Sequence, residues 1–162
     1  MTETIFDVIG VGIGPFNLGL AALLEPISDI KALFLEQKPC FQWHPGLLLE
    51  GATIQVPFLA DLVTMADPSS RFSFLNYLKV QSRLYHFYFL EHFHILRQEY
   101  NHYCQWVAEQ LNSCRFSQRV EAITWQDGYF EVKVFDLNSQ TKIAYHSRNL
   151  VLGVGSVPRV PS

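Results

Sequence analysis

The stretch FDVIGVGIGPFNLGL, residues 6–20, decides the predicted fold of this chain. It opens with apolar, β-branched residues, places glycine at every second position from residue 10 to residue 14, and continues into a run that is compatible with a helix. A strand, a glycine turn and a helix in this order are typical of a dinucleotide-binding βαβ unit. Gly12 permits the tight turn, and Gly14 lets the backbone approach a pyrophosphate because no Cβ is in the way.

The helix after Pro15 extends this pattern, since its first N–H groups and its positive dipole end would face the phosphates. Asn17 stands at the third glycine position of the motif, so we expect helix and strand to lie slightly further apart. Lys31–Glu36 is the predicted second strand, and Glu36 lies where an acidic residue would meet a ribose hydroxyl. The alternative is a glycine-rich turn in an ordinary α/β domain, with Glu36 simply exposed at a strand end. The predicted cofactor-binding residues of this unit are Gly12, Gly14, Pro15, Asn17 and Glu36.

Length and composition describe one globular domain. The chain has 162 residues, of which 49% are hydrophobic and 17% charged, so a disordered tail is excluded. A net charge of −3 and the lack of a basic stripe argue against nucleic-acid binding. The start lacks the features of a signal peptide, and no stretch approaches the roughly 20 apolar residues of a membrane span. The three cysteines are too few and too scattered for a disulfide framework or a zinc site, so we expect a cytoplasmic protein.

The middle of the chain departs from regular patterns before it returns to helices. Pro39–Gly51 carries two large rings and a histidine, and in a doubly wound fold it would lie near the carboxyl ends of the strands, where ligands bind. Asp67–Ser70 predicts a turn and the start of a helix. The face of that helix is expected to consist of Phe72, Phe74, Leu75 and Leu78.

Arg83–His94 is rich in aromatic residues and histidines, but it does not predict a metal site. His92 and His94 are two residues apart, so on a helix they would point to different faces. We interpret this segment as packing and surface groups.

Arg97–Leu111 is the next predicted helix, because apolar side chains recur along one face. They are Tyr100, Cys104, Val107 and Leu111.

The last third of the chain predicts strands. Asp127-Gly128 is a strong hairpin signal between two alternating segments, and Asn138-Ser139 marks a further turn. We therefore expect an antiparallel β-meander inserted before a final parallel strand. The predicted strands are Val120–Gln126, Tyr129–Leu137, Lys142–His146 and Asn149–Val154.

Trp43–Leu78 carries a resemblance to a known family, through the run WHPGLLLEGATIQVPFLADLVTMADPSSRFSFLNYL. It resembles the bacterial flavin-dependent monooxygenases that N-hydroxylate the terminal amine of lysine, ornithine or diamines in hydroxamate siderophore synthesis. The segment DVIGVGIGPFNLGLAAL, residues 7–23, is similar to the FAD fingerprint of that family, including Pro15 and the non-glycine third position. Arg97–Leu111 also matches a family segment in kind, so the resemblance covers nearly the whole chain.

The resemblance implies a Rossmann-like α/β FAD-binding domain, in which helices flank a parallel sheet with an inserted antiparallel β-meander. It implies FAD and NADPH as cofactors, and O₂ and a small-molecule amine as reactants. Trp43, His44 and Gln55 are the implied candidates for lining the flavin ring and pocket, and the backbone at Val120 would contact the adenine end. Each candidate side chain has a purely structural alternative: Trp43 in the core, His44 as a loop hydrogen-bonding group, and Gln55 as a strand-end cap. No general base is implied.

Ala60 marks a departure from part of that family. Members that act on ornithine or lysine commonly have a lysine there, in a phrase like FLKDL, and that lysine is understood to meet the α-carboxylate of the substrate. Here the phrase is FLADL, residues 58–62, and a methyl group cannot pair with an anion. Because an unpaired buried carboxylate costs several kcal/mol, we predict a diamine such as putrescine or cadaverine. Gln55 and Ala60 are the predicted substrate-binding residues. The alternative is that another residue supplies the cation and that lysine or ornithine is the substrate.

Members of the family are considerably longer than this chain and contain a second glycine fingerprint for NADPH, which has no counterpart here. Residues 1–162 are therefore expected to be the N-terminal part of the FAD-binding domain, as a fragment or a truncated gene product without activity of its own. Gly153–Pro161 resembles the crossover toward the NADPH domain. A non-catalytic FAD-binding module is the alternative, while the lack of a CxxC disfavours a disulfide reductase. A homo-oligomer is left open.

Overall fold

The computed structural model describes residues 4–155, which form a six-stranded mixed sheet with helices packed against it. The strands are β1 (Ile5–Val11), β2 (Ala32–Leu35), β3 (Cys114–Arg115), β4 (Gln118–Gln126), β5 (Tyr129–Asp136) and β6 (Thr141–Leu152). The helices are α1 (Pro15–Leu24), α2 (Phe74–Val80), α3 (Leu84–Leu90) and α4 (Arg97–Ala108). The strand order is β3-β2-β1-β6-β5-β4, with parallel pairing from β3 to β6 and antiparallel pairing from β6 to β4. The predicted α/β fold with a β-meander is confirmed.

Strand β6 belongs to both halves of this sheet, so the prediction of two separate strands at 142–146 and 149–154 is wrong. One edge of β6 pairs antiparallel with β5 from Thr141 to Ser147, and the other pairs parallel with β1 from His146 to Leu152. Ser147 and Arg148 lie between the two predicted strands. Ser147 is nevertheless fully buried without cost, because its hydroxyl donates to the Asn149 carbonyl at 2.7 Å.

The hairpin between β4 and β5 forms where the sequence predicts it. Asp127 and Gly128 both have positive φ, 52° and 87°, as a type I′ turn requires. Val132 and Val134 on β5 are buried on one face, as their alternation predicts.

Two hydrophobic cores lie on opposite faces of the parallel strands. On β2, Phe34 points into the core that α1 and α4 complete, whereas Leu33 and Leu35 point into a smaller core shared with Val132 and Val134 of β5. The meander therefore covers one face of the parallel strands and the helices cover the other. All four residues of the predicted apolar face are buried, although α4 ends before the last of them: Tyr100, Cys104, Val107 and Leu111.

The predicted face of α2 is wrong at one position. Ser73 caps this helix, with its hydroxyl accepting the Asn76 N–H at 3.2 Å, and the buried residues after it are Phe74, Tyr77 and Leu78. Leu75 is exposed, because positions i, i+3 and i+4 share a helical face and i+1 does not.

The aromatic segment that includes α3 has the mixed character that the sequence predicts. Phe87 packs against the larger core, while Tyr85, Tyr88 and Phe89 are exposed. No cluster of His, Cys, Asp or Glu in residues 4–155 could hold a metal ion, and no helix in that range is long and apolar enough to cross a membrane. The predicted crossover toward a second domain extends into residues 156–161, outside the described part of the chain.

Candidate functional site

The loop between β1 and α1 contains Gly12 and Gly14, and only one of these positions requires glycine for the fold itself. Gly12 has a φ of +85°, and a Cβ there would lie 2.5 Å from the Gly153 carbonyl oxygen, so the fold itself requires glycine. Gly14 has an ordinary φ of −87°, and a Cβ there would meet no atom within 4 Å. No packing contact in the described chain explains Gly14, which borders open space.

That open space lies at the N-terminus of α1. No side chain caps this helix, its first turn carries no acidic residue, and Pro15 occupies the start, where its missing N–H costs nothing. Phe16 points away from the protein and is 94% exposed. The uncapped N–H groups and the positive dipole end are therefore accessible to an anionic group.

Asn17 lies beneath this loop, not at its surface. The side chain is 3% exposed, and its Nδ2 donates to the carbonyl oxygens of Gly12 at 2.8 Å and Val11 at 3.4 Å. A Cβ at Gly153 would be 2.6 Å from that Nδ2, so the residue after β6 also packs tightly against Asn17. The amide holds the end of β1 against α1, and any effect of Asn17 on a cofactor would act through the shape of the loop.

Glu36 connects the end of β2 to the same loop. Its Oε2 accepts the Ile13 N–H at 3.0 Å and its Oε1 accepts the Lys38 N–H at 3.0 Å. The Glu36 carbonyl accepts the Gln118 N–H at 2.8 Å, which brings the start of β4 to this corner. Val120 follows two residues later, beside a β-bulge, and packs against the smaller core. The structure thus brings together the glycine loop, Glu36 and the beginning of β4.

Trp43 and His44 lie on the segment between β2 and α2. The Trp43 N–H donates to Asn101 Oδ1 at 2.9 Å, its ring contacts Tyr100 at 4.8 Å between centroids, and the Arg97 guanidinium lies 4.2 Å from its centroid. The indole is partly buried against α4. His44 is exposed, and its carbonyl accepts the Leu47 N–H at 2.8 Å.

Gln55 and Ala60 lie on one exposed loop. Ala60 ends a turn in which its N–H donates to the Pro57 carbonyl at 2.9 Å. Between them, Phe58 is buried, and its N–H donates to the Phe93 carbonyl at 2.8 Å. The loop is therefore anchored at Phe58 and presents Gln55 and Ala60 outward.

Two residues that hold this loop in place, Asp61 and Tyr103, were not predicted from the sequence. The carboxylate of Asp61 accepts the N–H of Val63 and the N–H of Phe74 at the start of α2, and the Tyr103 hydroxyl, on α4, accepts the N–H of Leu62. Asp61 followed by Thr64 was the available signal, because Asp side chains often accept from the backbone two or three residues on. For Tyr103 the sequence contains no signal beyond its position in a predicted helix.

A cavity of about 590 Å³ lies next to this loop, between α2, α3 and α4. Its walls are largely apolar, and Arg83, Glu99 and three histidines supply polar groups. None of the predicted site residues lines it.

The comparison with known families decides the assignment. Residues 4–162 match the sequence profile of the L-lysine 6-monooxygenase/L-ornithine 5-monooxygenase family. The chain belongs to this family.

Individual relatives agree with this assignment. The chain is 54% identical to the rhizobactin siderophore biosynthesis protein RhbE of Rhizobium meliloti, over 98% of this chain and 35% of that protein. It is 51% identical to the putrescine N-hydroxylase of Shewanella oneidensis, over 98% and 32%. The crystal structure of FAD-bound DfoA, the cadaverine monooxygenase of desferrioxamine biosynthesis in Erwinia amylovora, superposes with a TM-score of 0.96 at 47% identity, covering 99% of this chain and 38% of DfoA. The chain thus spans about a third of the length of the curated relatives.

Proposed function

We propose that this chain is the N-terminal part of the FAD-binding domain of an FAD- and NADPH-dependent monooxygenase. The complete enzyme would hydroxylate the terminal amine of a diamine, such as putrescine or cadaverine, in hydroxamate siderophore biosynthesis. The observation that carries the cofactor assignment is the open space at Gly14, above an uncapped helix N-terminus in a chain of this family. O₂ is the proposed co-substrate and the cytoplasm the proposed location, and a homo-oligomer is compatible with the proposal.

The residues of this corner fit FAD. Gly14 and the first N–H groups of α1 would hold the pyrophosphate, and Glu36 would accept from a ribose hydroxyl. The backbone near Val120 would meet the adenine end, while Trp43, His44 and Gln55 would line the ring. FAD, reduced by NADPH, supplies the redox chemistry that activates O₂. The NADPH-binding residues are proposed to lie outside this chain.

The substrate assignment depends on residue 60. The Ala60 methyl group and the neutral Gln55 offer no cation to an α-carboxylate, so a carboxylate buried there would lack a partner. A diamine has no such group. Its reacting amine must be the free base, although an alkylammonium has a reference pKa of about 10.4, and uncharged surroundings favour the neutral form. The names of two relatives, a putrescine N-hydroxylase and a cadaverine monooxygenase, support this choice over lysine or ornithine.

Two matched glycine variants test the cofactor site in the 162-residue chain. Gly14→Ala should fold with nearly unchanged stability, because its Cβ meets open space, but its FAD affinity should fall by at least about tenfold. Gly12→Ala should lose about 2 kcal/mol of unfolding free energy, because its Cβ would strike the Gly153 carbonyl. Flavin fluorescence titration and thermal melting measure the two effects. Wild-type affinity in Gly14→Ala would place the cofactor elsewhere.

An amine panel with the complete enzyme tests the substrate. We expect kcat/KM for putrescine or cadaverine to exceed that for ornithine and lysine by at least about a hundredfold, as the loss of about 3 kcal/mol predicts. The rate at which the N-hydroxyamine product forms is the measured quantity. A preference for ornithine or lysine would refute the diamine assignment, and bound FAD without any hydroxylamine would indicate a non-catalytic flavin module.

A further inference from the structure

Asp61 directly follows Ala60, and an acid beside a diamine site suggests a partner for the ammonium group of a substrate. Both of its oxygens are already engaged. Oδ1 accepts the N–H groups of Val63 at 3.0 Å and Thr64 at 2.7 Å. Oδ2 accepts the Thr64 hydroxyl at 2.7 Å and the Phe74 N–H at 2.6 Å. All of these donors belong to the protein itself. The hydrogen bonds of this carboxylate therefore indicate a structural role and not substrate binding.

The bond to Phe74 connects distant parts of the chain. Phe74 is the first residue of α2, and its N–H would otherwise lack an intrahelical acceptor. Asp61 thus joins the loop that carries Ala60 to the start of α2, at its buried residue Phe74, where the helix dipole also favours a negative charge.

Leu62 is fixed by two further helices. Tyr103 on α4 is fully buried, and its hydroxyl accepts the Leu62 N–H at 3.3 Å while donating to the Phe72 carbonyl at 2.7 Å. Burial raises the pKa of Tyr103 far above its ordinary value, so the phenol keeps the proton that it donates. On α1, a Cβ at Gly19 would lie 2.7 Å from the Leu62 carbonyl oxygen, which shows how closely that helix approaches.

We propose that Asp61 and Tyr103 are positioning residues, which fix the loop so that the side chain at position 60 is presented to the amine substrate in one orientation. This inference rests on the proposed function. The loop is then a rigid support, and residue 60 selects the amine class without rearrangement of its neighbours.

Three variants separate positioning from general folding. Asp61→Asn preserves size but replaces one acceptor oxygen with a donor, and Tyr103→Phe removes only the hydroxyl. Asp67→Asn is the matched control, because Asp67 Oδ1 accepts the N–H and hydroxyl of Ser69 within an exposed turn. Amide hydrogen exchange of the FAD-loaded chain should be at least about tenfold faster at residues 58–64 in the first two variants only, with FAD affinity within about twofold of wild type.

The complete enzyme supplies the second measurement. In Asp61→Asn and Tyr103→Phe, KM for cadaverine should rise by about tenfold, with kcat changed less. Ala60→Lys should gain turnover of ornithine or lysine, and adding Asp61→Asn should remove that gain. Unchanged exchange and KM in both variants would overturn the inference, as would equal losses of FAD and amine binding. A wild-type enzyme that hydroxylates no amine would refute the proposed function, and the exchange measurement would then decide by itself whether these residues fix the loop.

Discussion

The carboxylate of Glu36 joins two segments of the chain. It accepts the N–H of Ile13 in the glycine loop and the N–H of Lys38 after β2. An N–H bonded to a charged acceptor contributes about 1.5–3 kcal/mol where it is buried, and Glu36 is only partly buried. Glu36 is therefore expected to shape the loop as well as to bind a ribose.

Glu36→Ala should consequently affect both stability and cofactor binding. We expect a loss of about 1–2 kcal/mol in unfolding free energy and a decrease of at least about tenfold in FAD affinity. Urea unfolding and flavin titration of the chain measure these effects. Glu50→Ala, at an exposed position, is the control and should change neither. A loss of stability with unchanged FAD affinity would restrict Glu36 to a structural role.

Single residues also show where sequence reasoning ends. The motif predicted Gly12, Gly14, Asn17 and Glu36 as a group, and the structure brings all four to one corner. The motif could not predict that the Asn17 side chain donates to the carbonyls of the loop or that the Glu36 carboxylate accepts the Ile13 N–H. Such contacts depend on how closely two segments approach in space, which spacing along the chain does not encode.

At the scale of elements, one arginine connects three helices. Arg83, at the N-terminal end of α3, donates to both oxygens of Glu99 on α4, at 2.7 Å and 2.9 Å, and to the Tyr77 hydroxyl on α2 at 2.9 Å. Burial by itself would raise the pKa of Glu99, but hydrogen bonds from Arg83 and Tyr77 outweigh it and lower the pKa below 4.5. Burial also raises the pKa of Tyr77 to about 12, so this phenol stays protonated.

The pH dependence of stability should reveal this cluster. The pKa of Glu99 is lower in the folded than in the unfolded chain. Its contribution to the free energy of unfolding is therefore fully present above pH 4.5 and is lost as the pH falls through the pKa of the folded chain. Glu99→Gln should cost about 1 kcal/mol at neutral pH, since Arg83 is partly solvent-exposed, and progressively less in the acid range. Urea unfolding at a series of pH values measures the difference. Glu121→Gln, in an exposed pair with Arg119, should cost under about 0.5 kcal/mol; an equal cost at all pH values for Glu99→Gln would contradict the argument.

The elements themselves were predictable where hydrophobic period and turn residues agreed. The helix predicted at 97–111 from its hydrophobic period is observed as Arg97–Ala108, and the hairpin predicted from alternating segments around Asp127-Gly128 is observed as well. The continuous strand β6 was not predicted, because Ser147 and Arg148 interrupt its apolar pattern. A buried polar residue is tolerated inside a strand when its side chain has a hydrogen-bond partner, and Ser147 has one in the Asn149 carbonyl.

At the scale of the whole molecule, the shared strand β6 predicts cooperative unfolding. The parallel strands and the meander cannot separate without breaking the pairing of β6 on one side. Trp43 and Trp106 report on the helical core, whereas Trp125 lies on β4 and contacts Phe130 at 4.6 Å between centroids. Trp125→Phe and the double variant Trp43→Phe/Trp106→Phe should therefore each show one fluorescence transition, coincident with the loss of circular dichroism of that same variant. Separate transitions for the two probes would show that the meander unfolds independently.

Cofactor binding should then stabilise this cooperative unit as a whole, since FAD would contact the glycine loop of β1 and α1 and the β4 corner at Glu36. A ligand that binds only the folded chain adds about 2.7 kcal/mol when its free concentration is one hundred times Kd. For a domain of this size, that corresponds to a rise in Tm of roughly 5–10 °C. The rise should appear with both tryptophan probes when free FAD is one hundred times the Kd of each probe variant. At the wild-type FAD concentration it should fall to about half or less in Gly14→Ala, because a tenfold weaker affinity leaves about 1.4 kcal/mol of the stabilisation. This variant retains the fold but has a Cβ in the open space of the loop. A rise of equal size in Gly14→Ala, or one confined to the Trp125 signal, would show that the flavin binds without engaging the N-terminus of α1.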